Sequence, residues 1–188
     1  MALHGAALTV RRLGAALAAI AGVVLVAGLA GVPVYVHPQV DRPRQADAIL
    51  ILGGPDSSRY SYGLGLGAQG WAPNVVVSNP DGAEDPWLTR YCQTPQTRFK
   101  LYCFTPDPPT TKGEGQELRR LASKHNWRAV LVVTLRPHIS RARFILERCF
   151  SGELTMVPIP ERLSPAIWAF QYVYQTAGYA RALLQPEC

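Results

Sequence analysis

The stretch Val130–Arg143, with the sequence VLVVTLRPHISRAR, constrains the fold more than any other part of the chain. Apolar and β-branched residues lead up to Thr134, and Pro137 follows after a short turn. Proline suits the first turn of a helix, because the N–H group that it lacks would have no partner there. The stretch therefore predicts a buried strand that ends near Thr134 and leads into a helix. Ligands of open α/β sheets bind at such junctions.

The same pattern of strand and helix recurs along most of the chain. We predict strands at Asp47–Gly54, Asn74–Ser78, Phe99–Phe104, Ala129–Thr134 and Leu154–Ile159, and helices at 59–70, Glu84–Tyr91, Glu114–His125, Pro137–Phe150 and Ser164–Leu184. Short strands that alternate with helices indicate right-handed crossovers and a mostly parallel sheet. We expect an α/β domain with a three-layer, Rossmann-like architecture and a sheet of about five strands.

The N-terminal segment Leu13–Val36 contains no charged residue. It is longer than the ~20 residues that a helix needs to cross the hydrocarbon core of a membrane. Arg11 and Arg12 come directly before it, and the positive-inside rule then leaves the N-terminus in the cytoplasm. The segment therefore predicts a transmembrane helix.

This prediction divides the chain into four parts. They are a cytoplasmic N-terminus at 1–12, a transmembrane helix or signal anchor at 13–36, a linker at 37–45 and an extracytoplasmic domain at 46–188. Two alternatives remain open. Small residues at Gly28 and Ala30 fit a cleaved signal peptide, and a long apolar helix also fits a buried core.

The chain has four cysteines, namely Cys92, Cys103, Cys149 and Cys188. An even number in an exported domain predicts two disulfides, for which three connectivities exist. The pairs Cys92–Cys103 and Cys149–Cys188 are favoured, since the first two flank one short segment, but free buried thiols remain an alternative. Ligand spacings of the CxxC or HxxxH kind are missing, so a zinc site is not expected.

The charge pattern excludes one class of partner. The net charge of +6 comes from 16 arginines and three lysines against 13 acidic residues, and the basic residues form no long run. Nucleic-acid binding is therefore not expected. The high apolar fraction of 48% indicates a packed core rather than disorder.

Polar residues follow four of the predicted strands. They are Gly53, Gly54, Asp56 and Arg59 after the first strand, Ser78 after the second, Thr111 and Glu114 after the third, and His138 and Arg141 after the fourth. Because the carboxyl ends of parallel strands meet at one edge of a sheet, we expect these residues to form one site.

The residue types at this edge suit an anionic ligand. Arg59 and Arg141, with the backbone amides of Gly53 and Gly54 and the N-terminus of the following helix, would bind a phosphate. His138 is the candidate general acid or base, and Glu114 would orient it or activate water.

Each of these roles has a simpler structural alternative. Thr111 and Glu114 match a capping box, and His138 fits a histidine that packs at a turn. Arg143 stands four residues before Glu147, which favours a surface ion pair. No metal cluster is evident, although Asp56 and Glu114 are able to hold Mg²⁺.

The segment Gly65–Gly70 matches GxGxxG, the fingerprint of dinucleotide-binding loops. The fingerprint requires its glycines directly after a strand, whereas the first strand ends about a dozen residues earlier. The glycines therefore indicate close helix packing, and a nucleotide cofactor is a weaker alternative.

The chain resembles the YdcF/SanA-like family of bacterial envelope proteins over residues 46–160. The resemblance depends on DAILILGG, on Arg59 with Gly70 and Pro73, on VVVS, on a Thr-x-x-Glu loop and on VVT-x-x-x-H-x-x-RA. It implies a Rossmann-like domain, commonly behind one membrane helix, and a role in envelope integrity or peptidoglycan-precursor metabolism. The family's site positions fall on Gly53, Gly54, Arg59, Ser78, Thr111, Glu114, His138 and Arg141.

Three functions follow as hypotheses. The first is an enzyme, a hydrolase or a transferase, that is anchored in the bacterial cytoplasmic membrane and acts on an anionic small molecule or lipid-linked precursor of the envelope. The second is an envelope module that binds such a ligand without turning it over. The third is a Rossmann-type enzyme with a nucleotide cofactor.

Overall fold

A computed structural model describes residues 2–54, 57–185 and 187–188 of the chain. Its five strands are β1 Ala48–Ile51, β2 Asn74–Ser78, β3 Lys100–Phe104, β4 Ala129–Thr134 and β5 Glu153–Pro158. All pairs are parallel, and the strands lie in the order β3-β2-β1-β4-β5. The predicted Rossmann-like α/β fold is confirmed.

The helices are α1 Ala2–Gly31, α2 Ser58–Ala68, α3 Pro86–Gln93, α4 Thr111–His125, α5 Ile139–Leu146 and α6 Pro165–Leu184. Shorter helical turns lie at Val32–Val36, Gly82–Glu84 and Arg136–His138. Leu50 of β1 joins the apolar cluster that contains α4 and α5 residues, whereas its neighbour Ile51 joins the cluster with α2 and α3 residues. Helices therefore cover both faces of the sheet in three layers.

The central strands β1 and β4 are apolar on both faces because both faces are covered. Ile49, Leu50 and Ile51 of β1 are fully buried. Each such side chain stabilises the fold by about 1.5–3 kcal/mol relative to an exposed one. This burial explains why the strands read as continuous apolar runs in the sequence.

The glycines of the GxGxxG match lie inside α2 and at its end, and not in a loop after a strand. A Cβ on Gly67 would overlap Val75 of β2, and a Cβ on the preceding Gly63 would overlap Ile51 of β1. These two glycines let α2 approach the sheet closely. The expectation of close helix packing is confirmed for Gly67, whereas Gly65 and Gly70 have open space around them, and this segment offers no phosphate-binding loop.

Each of the five predicted helices has at least one boundary that differs in the structure, and the largest shifts are in α4 and α5. Helix α4 begins at Thr111 and not at Glu114, and the predicted helix Pro137–Phe150 is a short turn followed by α5 Ile139–Leu146. The turn brings His138 to the N-terminal end of α5 as its capping residue. Ile139, Ala142 and Leu146 of α5 are fully buried, and Cys149 beyond the helix is buried on the same side of the sheet.

The stretch Arg11–Val36 is long and apolar enough to cross a membrane. Its apolar side chains, such as Val23 and Val26, are largely exposed to the surroundings of the protein. Exposure of this kind fits a single-pass membrane anchor and does not fit the alternative of a buried core helix.

The end of the anchor and the residues after it pack against the domain. Ser140 donates a 2.7 Å hydrogen bond to the carbonyl of Val34. Asp41, in the predicted linker, accepts from Arg143 at 2.6 Å and from the backbone N–H of Met156 at 2.8 Å. Arg143 forms ion pairs that hold the structure together, as expected. Its closer partner is Asp41, at 2.6 Å, whereas the predicted partner Glu147 lies 3.9 Å away.

Both favoured disulfides are present. Cys92–Cys103 joins α3 to β3, and Cys149–Cys188 joins the segment between α5 and β5 to the segment after α6. All four cysteines are paired, so the alternative of free thiols is wrong.

Candidate active site

The candidate site lies where the strand order reverses, between the carboxyl ends of β1 and β4. The backbone N–H of Leu52 still bonds to Val133, and the two chains then diverge. Gly53 and Gly54 continue from β1, whereas the turn that ends at His138 continues from β4. This divergence opens a cavity of about 520 Å³. Crevices at such switch points are the usual ligand sites of open α/β sheets.

Seven of the eight predicted site residues line this cavity. They are Gly53, Gly54, Arg59, Thr111, Glu114, His138 and Arg141. Four segments that are distant in sequence thus converge as the sheet topology predicts. Asp56, the carboxylate proposed to share Mg²⁺ with Glu114, lies outside the described residues.

His138 is held between two threonine hydroxyls. Its Nδ1 atom lies 2.9 Å from Oγ1 of Thr134, and its Nε2 atom lies 3.3 Å from Oγ1 of Thr111. Among the described residues no hydrogen bond joins His138 to Glu114, so the two threonines, and not Glu114, orient the imidazole.

The surroundings of His138 keep the imidazole neutral. The side chain is 7% exposed, and burial lowers its pKa well below the ordinary 6.5. The positive charges of Arg141 and Arg59 lower this pKa further. One ring nitrogen therefore donates a hydrogen bond while the other is free to accept one.

Glu114 bonds to the neighbouring chain segment and not to its own helix. Its Oε1 atom accepts a 2.6 Å hydrogen bond from the backbone N–H of Gly53. The capping residue of α4 is Thr110, and its side chain makes no capping hydrogen bond. The capping-box alternative is therefore wrong, and the Gly53 amide proposed for a phosphate is engaged by the carboxyl group.

Burial raises the pKa of Glu114 above its ordinary value of 4.5. The hydrogen bond from Gly53 opposes this shift, as do the Ser78 hydroxyl and the charges of Arg59 and Arg141. Glu114 and His138 thus have pKa values shifted in opposite directions, both toward the neutral form. A neutral carboxyl donates a proton, and a neutral imidazole accepts one.

Arg59 is fixed against the glycine pair. Its Nη1 atom donates a 2.7 Å hydrogen bond to the carbonyl of Gly53, and the side chain is only 3% exposed. Gly54 has φ = 153°, and a Cβ at this position would overlap the guanidinium of Arg59. The second glycine is therefore required for the position of the arginine, which sequence alone did not show.

Arg141 is oriented by helix α6. Its Nε atom donates a 2.7 Å hydrogen bond to Gln175, whose own amide donates at 2.8 Å to Gln171. The guanidinium carbon lies 5.5 Å from the centre of the Tyr174 ring, a cation–π distance. The contribution of α6 was not predicted. The sequence feature that could have indicated this contribution is the pair Gln171 and Gln175, which stand four residues apart in a mostly apolar helix.

Ser78 lies behind the site and not on the cavity wall. It is fully buried at the end of β2, and its carbonyl accepts a 3.1 Å hydrogen bond from Tyr60. Burial raises the pKa of Tyr60 to about 12, so that its hydroxyl remains a donor. The influence of Ser78 on the site is electrostatic, because the Ser78 hydroxyl lowers the pKa of Glu114.

The described residues contain no cluster of three or more histidine, cysteine or acidic side chains that would hold a metal ion. The carboxyl group of Glu114 is bound to Gly53 and faces the charges of two arginines. The prediction that Asp56 and Glu114 hold Mg²⁺ stays a prediction, since Asp56 lies outside the described residues. Two further charged residues, Glu84 and Arg136, are exposed and do not line the cavity.

Comparisons of the chain with protein-family models, with curated proteins and with solved structures found no match.

Proposed function

We propose that this protein is a membrane-anchored, extracytoplasmic enzyme that acts on a phosphate-bearing precursor of the bacterial envelope. One observation carries the proposal. A single cavity holds two arginines, Arg59 and Arg141, together with Glu114 and His138, whose pKa values are shifted in opposite directions. The resemblance to YdcF/SanA-like proteins supports the same assignment.

Arg59 and Arg141 supply the charge that binds the phosphate. Arg59 donates to the carbonyl of Gly53 and Arg141 to the amide oxygen of Gln175, and both residues line the cavity. Guanidinium groups bind phosphate oxygens in a fixed, often bidentate geometry, which also stabilises charge that develops during phosphoryl transfer.

His138 and Glu114 divide the proton transfers. Nε2 of His138 accepts the proton of an attacking water or acceptor hydroxyl as a new P–O bond forms. The carboxyl group of Glu114 gives its proton to the leaving oxygen as the old P–O bond breaks. Thr111 and Thr134 hold the imidazole for this step.

The anchor and the disulfides support the compartment. The arginine pair before the anchor favours a cytoplasmic N-terminus, and disulfides persist in oxidising compartments. A phosphatase reporter that folds only outside the cytoplasm, fused after Cys188, is expected to be active. Activity of a cytoplasmic reporter alone would contradict this orientation.

Turnover is tested with the full-length protein in detergent. We expect it to release phosphate from, or transfer phosphate among, a panel of sugar phosphates, nucleoside diphosphate sugars and polyprenyl phosphates and diphosphates. His138→Gln and Arg141→Ala are expected to abolish this activity. The matched controls His125→Gln and Arg119→Ala, whose side chains lie outside the cavity, should retain it.

A non-catalytic binding module is the second candidate. The observation in its favour is that His138 has a hydroxyl partner on each ring nitrogen and, within the described part of the chain, no hydrogen bond to a carboxylate. Arginine-dependent binding of a panel member, without turnover of any of them, would support the module and refute the enzyme.

A further inference from the structure

Helix α6 presents an unusually apolar face to its surroundings. Phe170, Val173 and Leu184 are 61%, 73% and 84% exposed. The helix contains no acidic residue, and Arg181 is its one basic residue. The outer face of a helix on a soluble domain is normally polar or charged, so a continuous apolar face indicates an interaction surface.

Helix α6 is attached to the end of the anchor. Tyr172 donates a 3.3 Å hydrogen bond to the carbonyl of Gly28, and Thr176 lies 2.9 Å from the hydroxyl of Tyr35. The rings of Tyr35 and Tyr172 also pack edge to face, with centroids 5.0 Å apart. The position of α6 relative to the membrane is therefore fixed by that of the anchor.

The length of the anchor places these contacts at the membrane surface. A helix of 26 residues, the length of Arg11–Val36, is about 39 Å long at 1.5 Å per residue. The hydrocarbon core is ~30 Å thick, so about six residues extend beyond it. Gly28 then lies near the edge of the core and Tyr35 lies in the headgroup region.

We propose that α6 lies in the outer interface of the same membrane, with Phe170, Val173 and Leu184 inserted at the boundary between headgroups and acyl chains. Tyrosine is enriched at this depth, and Tyr174, which is 53% exposed, flanks the apolar face. Arg181 extends from the same side toward the lipid phosphates.

The position of α6 also determines how the cavity opens. Ile167, Phe170 and Tyr174 belong to the cavity wall as well as to this helix. If the proposed function holds, the ligand is an amphiphile that enters from the bilayer, with its anionic head at Arg141 and its apolar tail along α6. This step depends on the proposed function, whereas the insertion of α6 does not.

The insertion is tested by spin labelling of the full-length protein in vesicles of phosphatidylethanolamine and phosphatidylglycerol. A nitroxide is attached at Val173→Cys or, separately, at Leu184→Cys. Arg119→Cys on the exposed face of α4 is the control. Both native cysteine pairs are disulfide-bonded, so that only the added thiol reacts.

We expect the labels at 173 and 184 to be severalfold more accessible to oxygen, relative to a water-soluble nickel chelate, than the label at 119. Equal accessibility at all three positions would overturn the proposal. So would dipolar broadening between labels at 173 on two chains, since a second copy would then cover the face. Neither readout requires turnover, so this proposal and the proposed function fail independently.

Discussion

The Oε1 atom of Glu114 lies 2.6 Å from the backbone nitrogen of Gly53 and accepts its hydrogen. This bond joins the first turns of α4 to the segment that leaves β1, across 61 residues of sequence. It also places a buried carboxyl group in a cavity with two arginines. Glu114 thus holds two segments of the site together and also supplies an ionisable group to the cavity.

The substitution Glu114→Gln is expected to change how stability depends on pH. Because burial raises the pKa of Glu114, the folded chain binds this proton more tightly than the unfolded chain does. The wild type should therefore lose free energy of unfolding, relative to Glu114→Gln, as the pH rises above 4.5. The loss should end once the pH exceeds the raised pKa.

Chemical denaturation of both proteins between about pH 4 and about pH 8 measures this difference. Glu84→Gln, which changes an exposed carboxyl group, is the control and should follow the wild type. A difference between wild type and Glu114→Gln that is constant across this range would contradict the assignment of a shifted Glu114.

His138→Gln is expected to show the opposite pH dependence. The unfolded chain binds a proton to this histidine near pH 6.5, whereas the folded chain does so only at much lower pH. The wild type should lose stability, relative to His138→Gln, as the pH falls below 6.5. Exposed His37→Gln serves as the control. A parallel pH profile for wild type and His138→Gln would show that His138 is not held neutral.

Two glycine substitutions should have opposite effects on stability. Gly54→Ala places a Cβ on the guanidinium of Arg59 at a φ of 153°, and we expect it to destabilise the fold by about 1–3 kcal/mol. Gly65 lies within α2 with open space around it. Gly65→Ala should therefore stabilise by about 0.5–1 kcal/mol. Thermal unfolding of both variants checks the pair, and equal effects would refute the role of Gly54.

The sheet was predictable because burial on both faces leaves long apolar runs in the sequence. β2 and β4 have the bounds that these runs predict, and the polar residues after the strands indicated the edge that carries the site. Parallel topology then brought distant residues together without any knowledge of side-chain contacts. The fold and the position of the cavity therefore followed from pattern alone.

The connections within the site were not predictable in the same way. Thr111 and Glu114 satisfy a local capping pattern, but the Gly53 amide from a distant segment is the partner that the carboxyl group binds. Likewise, the sequence predicts only that Gln175 belongs to the last helix, although in the structure this residue orients Arg141. Local sequence shows which groups need partners, and tertiary packing decides which partners they receive.

The two disulfides should contribute unequally to stability. Cys149–Cys188 closes a separation of 39 residues and Cys92–Cys103 one of 11. Loop-closure entropy in the unfolded chain then gives about 4 kcal/mol for the first and about 3 kcal/mol for the second. Denaturation of the two double-alanine variants measures both values. A larger loss from the shorter loop would show that native-state contacts, and not chain entropy, dominate.

Gln175→Leu is expected to weaken anion binding without removing an arginine. Gln175 is 2% exposed, and its loss leaves Nε of Arg141 without its acceptor. We expect a destabilisation of about 1–3 kcal/mol, the cost of an unsatisfied buried donor. The Kd for inorganic pyrophosphate, measured by calorimetry on the full-length protein in detergent, should rise severalfold because the guanidinium is no longer held in one direction. Gln93→Leu, at the exposed end of α3, should leave both quantities unchanged. Unaltered pyrophosphate affinity in folded Gln175→Leu would mean that α6 does not position Arg141 for its ligand.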